Sequence, residues 1–103
     1  MPDLALLDNS GICVELGARI RAERVRKRLT QVELATSAAL ALRTYKRLES
    51  TGKGRIETLV AALRALERIR ALDIALPQPA LTRREPGVIE RIRVRAARVR
   101  KNI

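Results

Sequence analysis

The sequence predicts an all-α fold: a compact domain of five helices followed by a basic C-terminal tail. Two observations carry this. Apolar residues recur at spacings of three and four, which places them on one face of a helix. Between these stretches stand residues that start or stop helices: Thr30 with Glu33, Gly52 with Gly54, and Pro77 with Pro79.

The stretch TQVELATSAALALRTYKRLE, residues 30–49, is the centre of the chain and reads as two short helices joined by a tight apolar turn. Thr30 suits the position just before a helix, where its hydroxyl accepts from an otherwise unpaired amide. Glu33, three residues on, completes a capping box. Leu34 and Ala35 face inward in this reading. Ala38-Ala39-Leu40 is too short and too apolar for a solvated loop. Residues 42–48 form the second helix, carrying Arg43, Thr44, Lys46 and Arg47; Leu42, Arg43, Thr44 and Lys46 include its outward positions, and Tyr45 and Leu48 belong to the core. A short helix, a turn and a second helix bearing basic and hydroxyl side chains make a helix-turn-helix arrangement.

The string LGARIRAER, then LTQVELA, then ALALRTYKRLE resembles the XRE (lambda repressor/Cro-like) helix-turn-helix family over residues 16–72. The resemblance implies a lambda-repressor-like domain whose second motif helix reads duplex DNA. It also implies an ion pair between Arg24 and Glu49, tying the first helix to the end of the recognition helix. Three positions depart from the family, which usually has Gly at Arg28 and at Ala39 and a capping Ser at Ala41. Each departure costs ~1 kcal/mol of local preference.

Around this centre the chain divides into four parts. Residues 1–11, with Pro2, two aspartates, Asn9, Ser10 and Gly11, read as a ragged arm. Residues 12–76 are the domain. Its first helix spans 12–28, with Leu16, Ile20 and Val25 inward and a charged outer face that is ordinarily just solvated. A polar loop with two glycines follows at 50–55. A helix over 56–66 carries the stripe Ile56, Leu59, Val60, Leu63 and Leu66, and residues 67–76 continue it with Ile69, Leu72 and Leu76 on one side. Pro77 and Pro79 end the helix, so residues 77–87 read as a linker. The tail, 88–103, is short and basic. From Arg83 onward the chain carries eight basic residues against Glu85 and Glu90, and its pattern fits a narrow helical stripe or an alternating strand equally.

Composition bounds the function. A chain of 103 residues holds one small domain plus tails. A formal net charge of +11 points to a polyanionic partner, nucleic acid before an anionic membrane surface. Tyr45 is the sole aromatic residue, which argues against readers that stack single-stranded bases on aromatic platforms. There is no histidine, which removes the usual neutral-pH acid/base and the commonest metal ligand. Cys13 alone makes neither an internal disulfide nor a cysteine metal cluster. No catalytic residue, metal site or cofactor is therefore expected, and the composition argues against an enzyme. With no apolar run of ~18 residues and no basic start followed by an apolar block, a cytoplasmic, nucleoid-associated protein is the expectation.

The candidate DNA-binding residues follow from groove chemistry. Phosphates give affinity through counterion release, and base edges in the major groove give sequence choice. Arg43 can bond two acceptors of guanine, while Leu42 or the Thr44 methyl can meet a thymine methyl. Lys46 joins them near the start of the helix, and Arg47 suits a backbone contact. By resemblance, Gln31 contacts a phosphate or braces the base-reading residues. The resemblance also implies that the loop carrying Lys53 and Arg55 lies near the DNA backbone, where the two meet phosphates; alternatively, they belong to a mobile solubilising turn. The tail is read as a second electrostatic grip on the duplex or as a solubilising extension.

One recognition helix touches too few base pairs for selectivity, so a homodimer on a palindromic operator is expected. The compact domain, proline linker and basic tail are similar to HipB-like antitoxins, which repress their own operon and restrain a toxin kinase. Two other classes stay open: a protein-interaction module whose basic face meets an acidic partner, with only non-specific DNA affinity, and a membrane-surface segment built from the tail.

Overall fold

The computed structural model describes residues 2–80. They form α1 (Asn9–Arg26), α2 (Gln31–Ser37), α3 (Leu42–Thr51), α4 (Ile56–Ala65) and α5 (Ala71–Ala75), preceded by a 3-10 turn at Leu4–Leu6. No strand occurs among the described residues. The fold is all-α, as expected. Most of the expected linker and the whole basic tail lie outside the described residues.

The N-terminal segment is more ordered than its composition suggests. The Asp3 carboxylate accepts from the Ala5 amide and starts the 3-10 turn; the Asp8 carboxylate accepts from the Gly11 amide at 2.7 Å and starts α1 at Asn9. Polar residues taken for a ragged arm are thus helix caps, and α1 begins three residues earlier than expected.

The inward face of α1 is also different. Gly17, Ile20 and Arg24 are buried, whereas Leu16 and Val25 are 37% and 54% exposed. The cause is the close approach of α3: a Cβ on Gly17 would lie 2.5 Å from the Leu48 carbonyl oxygen. Only glycine lets the two backbones meet there, and that contact sets the rotation of α1.

The capping box that opens α2 is present in full, with the Thr30 hydroxyl accepting from the Glu33 amide and the Glu33 carboxylate accepting from the Thr30 amide, both at 3.0 Å. Those bonds hold the Glu33 carboxyl below its ordinary pKa, with the Thr30 backbone donor the larger cause. The turn between α2 and α3 passes through Ala39 at φ 56°, and the turn after α1 through Arg28 at φ 58°. These left-handed positions are the two at which the family resemblance leads one to expect glycine. Ala41 precedes α3 without any side-chain cap. Supplying the missing hydroxyl, Ala41→Ser, should raise stability by about 1 kcal/mol, read as a higher denaturant midpoint with unchanged slope.

α3 runs three residues past its expected end and stops at Gly52, whose amide donates to the Leu48 carbonyl at φ 70°. In α4 the buried positions are Thr58 and Ala62, with Leu66 buried just beyond, while Ile56 is 80% exposed. The predicted stripe is therefore rotated. The small Ala62 lets α4 lie against α2 and α3, and Val60 and Leu63 flank it half-buried. The expected continuation over 67–76 is broken at Glu67, which sits at φ 59°, and only the five residues of α5 are helical again. Leu76, expected on the inner side, is 81% exposed.

One core results: Ile20, Leu34, Ala35, Tyr45, Leu48, Ala62 and Leu66 are buried together, and Leu29, Leu40, Leu42, Leu59 and Ala65 pack around them.

Candidate nucleic-acid interface

The buried face of α3 fixes its outward face. Tyr45 is fully buried and Leu48 nearly so, and the helix periodicity then turns Arg43, Thr44, Lys46 and Arg47 to solvent. Arg43, Thr44 and Arg47 line one side of an open groove of about 690 Å³. Lys53 and Arg55, from the loop between α3 and α4, line another part of it, and the turn residues Ala38, Ala39 and Leu40 form its end. Five of the eight residues predicted from sequence are thus brought to one groove. Its charged lining is four basic side chains against a single carboxylate, Glu57.

The remaining three stand apart. Lys46 is exposed on α3 but outside this groove. Leu42, expected on the outward face, is half-buried and packs against the core, so it supports α3 from below, whereas Thr44 is exposed and lines the groove. The Gln31 side chain donates its amide to Oε2 of Glu49, near the C-terminal end of α3. It braces the C-terminal part of α3, away from Arg43 and Thr44 near the start of that helix.

That bond belongs to a three-helix junction. Arg24 of α1 donates from Nε to Oε1 of Glu49 at 2.7 Å and from Nη1 to the Leu29 carbonyl at 2.7 Å. The Arg24–Glu49 pair is buried, as the family resemblance implies. One carboxylate of α3 therefore receives donors from α1 and α2. Glu49 beside it holds the Arg24 guanidinium protonated more firmly than usual, against the opposing effect of burial. The junction leaves α3 little freedom to shift or roll, so its outward side chains are presented on a rigid support.

Compared with protein-family models and with the curated proteins, the chain matches none.

Sequence reasoning missed the Gln31–Glu49 bond and the place of Glu57 on the groove. No local signal marks the first, because its partners are separated by eighteen positions. The second follows from helical spacing in α4 once the loop before it is known to fold back.

Tyr45 gives the support a pH dependence. Its hydroxyl is buried without a hydrogen-bond partner, and burial, with the nearby Glu49 charge, pushes the phenol well above its ordinary range. A raised folded pKa means stability that is complete below the unfolded value of ~10 and is lost as pH climbs through the folded one. Unfolding by urea should therefore become easier above about pH 10, and Tyr45→Phe should remove that part of the slope at little cost near neutrality.

Proposed function

We propose that the protein binds double-stranded DNA in a sequence-specific way, as a transcriptional repressor of the XRE (lambda repressor/Cro-like) type. The observation that carries this reading is the convergence of Arg43, Thr44, Arg47, Lys53 and Arg55 on one exposed groove beside a helix whose opposite face is locked into the core. A helix fits the major groove, where the Arg43 guanidinium can bond two acceptors of guanine and the Thr44 methyl can meet thymine. Arg47, Lys53 and Arg55 then neutralise phosphates, with counterion release as the driving force. The first amides of α3 lack a side-chain cap, and uncapped amides at a helix start favour a phosphate.

Selectivity from so short a helix requires a homodimer, placing two copies of α3 ~34 Å apart on a palindromic operator. In that setting the protein is a cytoplasmic, nucleoid-associated regulator, and an antitoxin role with a kinase partner is the narrower form of the same proposal. Among the described residues no helix is long and apolar enough to cross a membrane.

Arg43→Ala should relax preference at one operator base pair by roughly 1–3 kcal/mol, while Lys53→Ala should weaken all duplexes alike and lower the salt slope by about one. Affinity titrations over single-base operator variants at several salt concentrations read both. Unchanged binding of Arg43→Ala to every variant would remove it from the readout.

A further inference from the structure

A second groove lies elsewhere on the domain, between α1, α4 and α5, and shares no residue with the basic one. Its volume is about 550 Å³ and its floor is apolar: Leu16, Ile20, Leu59, Leu63, Leu66 and Leu72. Three guanidiniums, Arg19, Arg26 and Arg68, stand on its lining against one carboxylate, Glu23, and Arg19 is also paired at 3.2 Å with Glu15 on the same helix, which leaves the rim one cation in excess. The Glu23 carboxylate is already shared, since Arg26 donates to it and Arg68 lies 4.0 Å away. α5, one wall, has five residues and buries none of them. A helix that short gains its order from packing, so a wall of this kind is shaped to be covered.

Charge decides what covers it. A second copy docked here about a two-fold axis would set its own Arg19, Arg26 and Arg68 against these, and the segment from Arg83 onward carries eight basic residues against two acidic ones. Either would bring cations onto a rim that already has an excess of them. We propose that this groove docks an acidic amphipathic helix of a partner protein, its apolar side chains entering between α1 and α4 and its flanking carboxylates meeting Arg19, Arg26 and Arg68. This is the helix-in-groove mode of recognition, with rim charge selecting the partner. The two grooves share no lining residue, so a partner helix in this one leaves the basic one uncovered. The inference does not depend on DNA binding.

The test uses three synthetic helical peptides with one leucine pattern, flanked by Glu, by Ser or by Lys, titrated into the full chain at near-physiological salt by fluorescence anisotropy. The Glu peptide should bind at least about tenfold more tightly than the Ser peptide, and the Lys peptide more weakly than either. Leu63→Asp should abolish this binding. Arg26→Glu with Arg68→Glu, two exposed changes that leave the core intact, should reverse the order of the peptides. Arg43→Ala with Arg47→Ala should leave it unchanged. Equal binding by the wild type, Leu63→Asp and the Arg26/Arg68 double variant would overturn the proposal, since the peptide would then ride on general positive charge. Binding that emerges only after Val88, Ile92 and Val99 are changed to Ser would assign the groove to the chain's own tail. A dimer that Leu63→Asp splits and the Glu peptide fails to displace would assign it to a second copy. Loss of duplex binding in Arg43→Ala with peptide binding intact keeps the two functions separate.

Discussion

Glu49→Leu should destabilise the protein by about 3–5 kcal/mol, the cost of leaving a buried charge without its partner. Arg24 is 9% exposed and Glu49 6%, so water cannot replace the lost carboxylate. Gln31 loses its acceptor in the same change. Out of a total stability of ~5–15 kcal/mol for a domain of this kind, that loss is large, and heat or urea unfolding will read it directly. The cost belongs to the orphaned arginine more than to the strength of the pair. Arg24→Met combined with Glu49→Leu should therefore recover most of the stability, because both charges are gone and the space is filled. If the double variant were as unstable as the single one, the junction would owe its importance to shape, not to charge.

Gly52→Ala should be the most damaging single methyl among the described glycines. Gly52 sits at φ 70°, and a Cβ there would lie 1.8 Å from the Cys13 carbonyl oxygen. The left-handed backbone costs ~1–2 kcal/mol for an alanine, and forcing α1 and α3 apart adds ~1–3 kcal/mol. Gly54 supplies the comparison within the same loop. Its added Cβ would meet nothing nearer than Thr58 at 3.6 Å, so Gly54→Ala should be nearly neutral. Denaturant midpoints for the pair settle the point, and equal tolerance at both positions would contradict the close packing of α1 on α3.

These junctions also explain how far the sequence could be read. Local chemistry was legible: the Thr30–Glu33 box, the turn at Ala39, the burial of Leu34, Ala35, Tyr45 and Leu48, and the exposure of Arg43, Thr44 and Lys46 all follow from spacing and hydrogen-bonding capacity, whereas Leu42, expected outward, packs on the core. The family resemblance supplied the Arg24–Glu49 pair. What escaped was governed by contacts between helices. Gly17 rotates α1 so that Arg24, not Val25, faces inward, and Ala62 rotates α4 so that Ile56 faces out. In both cases a small residue marks the closest approach, whereas apolar periodicity counts large residues and misplaces the face. Glu67 broke a helix that its composition favours, through a left-handed residue that no propensity announces. At the site, the basic residues of α3 and the loop were legible singly, but their convergence on one groove depends on how the loop folds back to α4.

On the proposed function, the outward face of α3 reads duplex DNA. Selection of binding sites from random duplexes by the full-length protein, at near-physiological salt, tests it most directly. A palindromic site whose halves are centred about one helical turn apart, ~34 Å, is the predicted result. Recovery of unrelated duplexes with no shared site, at an affinity set only by salt, would contradict sequence reading by this helix and leave a cation-rich domain that binds polyanions without choice.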